Sequence, residues 1–137
     1  MYKRQGSGYL YFVVPRVILF RLEHTPRTLV KEVDFISAPG FSDDGVYRPG
    51  GPYKLITDRC LFHVNKQQKC FELESVHPGH TIDEILEQTG FEFLLPDNGV
   101  PETETPDDAT LKVIRGEVAR EISEIYPSFA SRVFGIE

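Results

Sequence analysis

The chain has 137 residues, 40% of them hydrophobic, with ten Phe and six Tyr, enough for one domain to bury a core without disulfides. Fifteen Lys and Arg against 21 Asp and Glu give a net charge of −6, and no basic stripe is present, which excludes a general nucleic-acid binder. The longest apolar run, Tyr9 to Leu22, is broken by Pro15, Arg16 and Arg21 and falls short of the roughly 20 residues a spanning helix needs, while two cysteines, Cys60 and Cys70, make no disulfide framework and set a reducing cytoplasm as the default compartment.

Met1 to Gln5 stands apart from the rest. This pentapeptide is what a common transposon sequencing adapter encodes in one frame when GTG is read as the initiator, so residues 1–5 are expected to be an artefact with a native N-terminal part missing ahead of them. Arg16 to Glu23 has the β-branched and aromatic content of a buried strand, and Glu23-His24-Thr25-Pro26 ends it, because a residue before proline avoids helix. Leu29 to Ser37 is expected to be a second, half-buried strand. Pro39 to Pro52, rich in Gly and Pro, is longer than an ordinary connector, and such loops are often functional. Tyr53 to Val64 and Cys70 to Val76 read as two antiparallel strands joined by the polar turn Asn65 to Lys69.

Ser75 to Phe93 is the most sharply punctuated stretch. After the Pro78-Gly79 turn, Thr81 stands at an N-cap and Glu84 completes a capping box, with Asp83 favourable to the helix dipole. Ile82, Ile85 and Leu86 form one apolar face, and Gly90 is expected as a stop residue at positive φ. Phe91 to Leu95 reads as a further buried strand, and Pro96 to Pro106 as a linker. A last helix should start with Thr105 as N-cap and Pro106 at its first position. Leu111, Ile114, Val118, Ile122 and Ile125 repeat along it as a narrow apolar stripe that must pack on something. Pro127 ends it, and Ser128 to Phe134 can add a short helix.

Little of this points to chemistry by itself. Cys60, His63, Cys70, His77 and His80 are close in sequence, but side chains three apart on a strand face opposite ways, so no metal site is expected. No G-x-S-x-G elbow supports a Ser-His-Asp nucleophile, and Asp43-Asp44-Gly45 lacks the pattern of a calcium loop. The acid pairs Asp83/Glu84 and Asp107/Asp108 are accounted for by capping. Gly6-Ser7-Gly8 alone is a weak oxyanion or phosphate signal.

Taken in order, Glu23-His24-Thr25, Val33 to Gly40, Gly50-Gly51-Pro52, Leu55-Ile56-Thr57-Asp58 leading into Leu61-Phe62, and the His77-Pro78-Gly79 to Phe91-Glu92 stretch resemble the C-terminal part of the B subunit of the glutaconate-type, class I CoA-transferases. The resemblance runs from about Gly6 to Asp97 and leaves 98–137 as linker and C-terminal helix. It implies an α/β fold, a partial open mixed sheet of five to six strands flanked by helices, like the NagB/RpiA/CoA-transferase group. It further implies a partner A subunit, and a transfer of CoA between an acyl-CoA and a carboxylic acid, such as a dicarboxylate or 3-oxoacid, through a glutamyl-CoA thioester. Coenzyme A is then a substrate, and no cofactor is implied. In that family a glycine-rich loop at the place of Gly6, Ser7 and Gly8 lines the acyl-CoA site, although Tyr9 stands where a further glycine is usual. The attacking glutamate lies well upstream of that loop, and no residue here matches it, so the chain alone is expected to be inactive. Glu23 and His24 are expected to be structural or to support the site from behind its contacting residues, and neither is expected to be the nucleophile. Two alternatives stay open: the related ring-opening hydrolase acting on CoA thioesters in steroid degradation, and a non-catalytic binding module.

Overall fold

The computed structural model describes residues 5–136; most of the N-terminal pentapeptide singled out above lies outside the described residues. The chain divides between Thr103 and Glu104 into two compact units. No helix among the described residues is long and apolar enough to cross a membrane.

The first unit holds helix α1 (Gln5–Val13), strands β1 (Val17–Phe20), β2 (Pro52–Ile56), β3 (Cys60–Asn65) and β4 (Cys70–Val76), and helix α2 (Ile82–Gln88). The strands form one mixed sheet in the order β1-β2-β3-β4, with β1 parallel to β2 and the other pairs antiparallel. Strand alternation sends Cys60, Phe62 and Val64 of β3, together with Leu55 and Leu73 of its neighbours, to a single face. Ile85 of α2 and Leu29 close over that face, and Phe71, Phe91 and Phe93 pack at its margin. Phe62 is the centre, with ring centroids of Phe93, Phe71 and Phe91 at 5.1, 5.9 and 6.1 Å. Phe62, the one of the four that is fully buried, contributes roughly 1.5–3 kcal/mol by leaving water.

Several elements differ from the sequence reading, each for a visible reason. The run Tyr53 to Val64 is two strands, because Thr57 Oγ1 accepts from the amides of Arg59 and Cys60 at 3.2 and 3.1 Å and turns the chain. Leu29 to Ser37 forms no strand. The Leu29 amide donates back to Thr25 O at 2.9 Å, and its carbonyl accepts from the Gly90 amide at 2.7 Å, so neither group is free for a ladder. β1 is a strand but not a buried one: it lies at the sheet edge, with Ile18 56% and Phe20 63% exposed. In place of the expected strand at 91–95, Leu94 makes a single parallel bridge to β4, and Glu102 makes a second one further along. These two bridges cover the outer edge of β4 without extending the sheet.

Helix α2 has the expected start. The Thr81 hydroxyl accepts from the Glu84 amide at 3.2 Å and the Glu84 carboxylate accepts from the Thr81 amide at 3.0 Å, and that backbone N–H, the largest influence, holds the Glu84 carboxyl below its usual range. The end differs, since Gly90 is not among the glycines at positive φ. Its need is spatial: a Cβ there would lie 2.4 Å from Leu29 O.

The second unit comprises α3 (Asp108–Val113), a π-helical segment over Ile114–Val118, α4 (Ala119–Ile125) and α5 (Pro127–Phe134). Its N-cap is Asp107, whose carboxylate accepts from the Thr110 amide at 2.8 Å; the expected cap, Thr105, lies two residues earlier in the sequence. Of the apolar stripe, Leu111, Ile114, Val118 and Ile122 are half-buried, whereas Ile125 is 71% exposed.

Candidate functional site

Gly6, Ser7 and Gly8 lie in the first turns of α1, not in a loop. A Cβ at Gly6 would meet nothing within 4 Å, while one at Gly8 would touch Ser37 O at 3.4 Å, so one side of this turn is open and the other faces the Ser37 carbonyl and the Ala38 side chain. The helix lacks a basic residue in its last turn, and its final carbonyls would be unsatisfied if left to the helix alone. The long loop after Pro39 supplies what is missing. Arg48 Nη2 donates to Tyr11 O at 3.1 Å, the Gly50 amide to Phe12 O at 2.8 Å and the Gly51 amide to Val14 O at 3.2 Å. A Cβ at Gly50 would stand 2.3 Å from Val14 O, so only glycine lets the two backbones approach this closely.

Beside this lies an open cleft of about 590 Å³ whose wall is mostly apolar, including Tyr11, Ile18, Phe20, Val30, Val33 and Phe91. It is bounded by the edge strand, so a long, partly apolar molecule could lie along it. Neither Arg48 nor this cleft is marked by any spacing in the sequence.

His24 is buried, and it does not line the cleft. The Thr89 hydroxyl donates to Ile85 O at 2.7 Å and is left as an acceptor for His24 Nε2 at 2.8 Å. This assigns the ring proton to Nε2 and makes Nδ1 the acceptor, facing the Thr57 hydroxyl at 3.0 Å and Cys60 Sγ at 3.5 Å. Burial, then the Arg59 charge, lowers the His24 pKa below its ordinary value. Burial also pushes the Cys60 thiol up to about 11, so it stays protonated at neutral pH and is a poor nucleophile. The His24 backbone amide donates to Asp58 Oδ1 at 2.7 Å. His24 thus ties the β2–β3 turn to the end of α2, and it presents no reactive atom. Glu23 is exposed and contributes its backbone carbonyl to the Thr28 hydroxyl at 3.2 Å.

The other histidines are held apart. His77 accepts from the Thr103 hydroxyl on Nδ1 at 2.8 Å and donates from Nε2 to Thr57 O at 3.1 Å. His80 contacts the Glu84 carboxylate at 3.3 Å, and His63 packs edge-on against Tyr53. Among the described residues no three His, Cys, Asp or Glu side chains are gathered as a metal site would need.

No protein-family model matches the chain. The B subunit of the 3-oxoadipate CoA-transferase of Pseudomonas knackmussii is 32% identical over 109 residues, which are 75% of this chain and 42% of that protein. The B subunit of the glutaconate CoA-transferase of Acidaminococcus fermentans is 29% identical over 107 residues, 73% of this chain and 40% of that one. The cholesterol ring-cleaving hydrolase IpdB subunit of Rhodococcus jostii is 31% identical over 98 residues, 68% and 38% of the two chains. Among solved structures, the glutaconate coenzyme A-transferase of Acidaminococcus fermentans superposes with a TM-score of 0.67 at 28% identity, covering 82% of this chain and 44% of that one. The decarboxylase AibA/AibB gives 0.65 at 28% identity, covering 80% and 41%. The chain spans about two fifths of the length of the curated relatives it matches.

Proposed function

We propose, from the premise that this chain is a homologue of CoA-transferase B subunits, that it is the C-terminal part of one and works with an A subunit. The reaction is the movement of CoA from an acyl-CoA to a carboxylic acid, a dicarboxylate or 3-oxoacid. A glutamate supplied from outside this chain attacks the thioester carbonyl and expels CoA thiolate, leaving an enzyme-bound anhydride. The thiolate then attacks the glutamyl carbonyl, releasing the first carboxylate and leaving a glutamyl-CoA thioester. The acceptor acid reverses these steps. Splitting one difficult exchange into two covalent ones is what lowers the barrier. Coenzyme A enters as substrate, and the setting is the cytoplasm.

In this reading Gly6, Ser7 and Gly8 contact the acyl-CoA from the first turns of α1, the open side at Gly6 admitting the ligand. The observation that carries the proposal is the agreement, over about three quarters of the chain, of its sequence with two CoA-transferase B subunits, together with the agreement of its fold with the glutaconate coenzyme A-transferase. Similarity to the ring-cleaving hydrolase supports a second reading, thioester-directed ring opening with water in place of the acceptor acid.

The test is to express the chain with a restored upstream half and an A subunit, supply acyl-CoA, and trap the bound thioester with borohydride. The label is expected on a glutamate outside this chain, with turnover dependent on an added acid. Turnover without any acceptor acid would favour the hydrolase, and CoA transfer by the 137-residue chain alone would overturn the reading.

A further inference from the structure

The Arg48 side chain makes hydrogen bonds to three backbone carbonyls. Besides Tyr11 O, its Nε donates to Gly50 O at 3.1 Å and its Nη1 to Pro39 O at 2.9 Å. The guanidinium carbon also lies 4.3 Å from the centre of the Phe12 ring. One planar fork therefore joins both ends of the 39–51 loop to the last turn of α1. A lysine ammonium has no such fork and would retain only the charge. The neighbouring amides of Gly50 and Gly51 complete the clamp.

A helix of nine residues is short and stiff, so fixing its C-terminal turn fixes the direction in which its first turn points. Two glycines in that first turn weaken it, since glycine is a poor helix former, and α1 therefore depends on its far end for order. We infer that Arg48 is a positioning residue for the acyl-CoA site: through its clamp on Tyr11, Gly50 and Pro39 it holds α1 so that Gly8 keeps its place against Ser37 and the side at Gly6 stays open. The inference rests on the proposed function for the ligand, and on the geometry alone for the clamp.

Two measurements test it, on Arg48→Met and Arg48→Lys. Hydrogen exchange on the full chain should show the amides of residues 9–14 and of Gly50 and Gly51 exchanging about tenfold faster in both variants, the size of one lost charge-assisted hydrogen bond. The amides of β3 and β4 should be unchanged. In the completed two-subunit enzyme the KM for acyl-CoA should rise by about the same factor with kcat and the melting temperature nearly unmoved, because the change removes binding and not chemistry. Unchanged exchange in α1 would remove Arg48 as the clamp. Faster exchange with an unmoved KM, or a fall of kcat and melting temperature together, would reduce it to a merely structural residue. An unmodified complex without thioester chemistry would sink the functional reading instead, and the exchange pattern alone would then uphold or remove the clamp.

Discussion

His24 is enclosed by hydroxyls, with the charged groups Asp58 and Arg59 nearby, and this sets how it responds to acid. Its pKa is lowered in the fold, chiefly by burial, so the folded chain refuses a proton that the unfolded chain takes up at about 6.5. Stability is therefore full above that value and declines as pH falls from about 6.5 toward the lower folded value. Glu84 and Asp107, whose carboxyls are held low by backbone and side-chain donors, lose their contribution only at more acidic pH. The urea midpoint should fall between pH 7.5 and pH 5 in the native chain and vary less in His24→Gln, whatever the absolute stability of the variant. Equal slopes would mean that His24 takes up its proton equally in both states. A second comparison concerns α2. Removing the Thr81 cap should cost about 1 kcal/mol. Gly90→Ala should cost more, about 2 kcal/mol, because its Cβ would meet Leu29 O at 2.4 Å and force apart the hydrogen-bonded Gly90–Leu29 backbone pair. Urea titration of the two variants side by side ranks them.

At the scale of elements, what was legible in the sequence was what is settled within a few residues. The Thr81–Glu84 box and the β3–β4 hairpin with its Asn65 turn are local, and their signals lie within the stretch they govern. Leu29 to Ser37 has strand-like composition, but strand formation needs a neighbouring edge, and the Leu29 backbone is taken by Thr25 and Gly90. Gly90 itself was recognisable as a glycine that matters, but its reason, a contact with a residue far back in the chain, is not written near it. The candidate site divides in the same way. Gly6 to Gly8 came from a resemblance, whereas Arg48 and the Thr57 and Thr89 partners of His24 arise only when distant segments meet. In the second unit the 3.6-residue stripe was readable, but the π-helical segment was not, since it is one residue of slack inserted between two α-helices. Gly116 sits in that slack with a Cβ direction open to space and no positive φ. Gly116→Ala should therefore raise stability by about 0.4–1 kcal/mol by narrowing the unfolded ensemble. A lower melting temperature would show that the segment needs glycine for a reason other than chain freedom.

At the scale of the molecule, the sheet of the first unit has two unlike edges. The outer edge of β4 is covered by the bridges at Leu94 and Glu102, but among the described residues no strand pairs with the outer edge of β1. That strand also projects Ile18 and Phe20 outward at 56% and 63% exposure, with Leu22 just beyond at 52%. An unpaired, apolar, parallel edge is a template for another strand and a hazard in isolation. The chain matches only about two fifths of each curated relative, and in the proposed enzyme further polypeptide is available to cover this edge. Expressed by itself, the chain should therefore associate with itself at micromolar concentration. Phe20→Glu should return it to monomer, because a charge on an edge strand opposes pairing, at a stability change within about 0.5 kcal/mol for so exposed a side chain. Sedimentation velocity across a concentration series reads both. A native chain that stays monomeric throughout, or a Phe20→Glu chain that associates as before, would place the attraction elsewhere than β1.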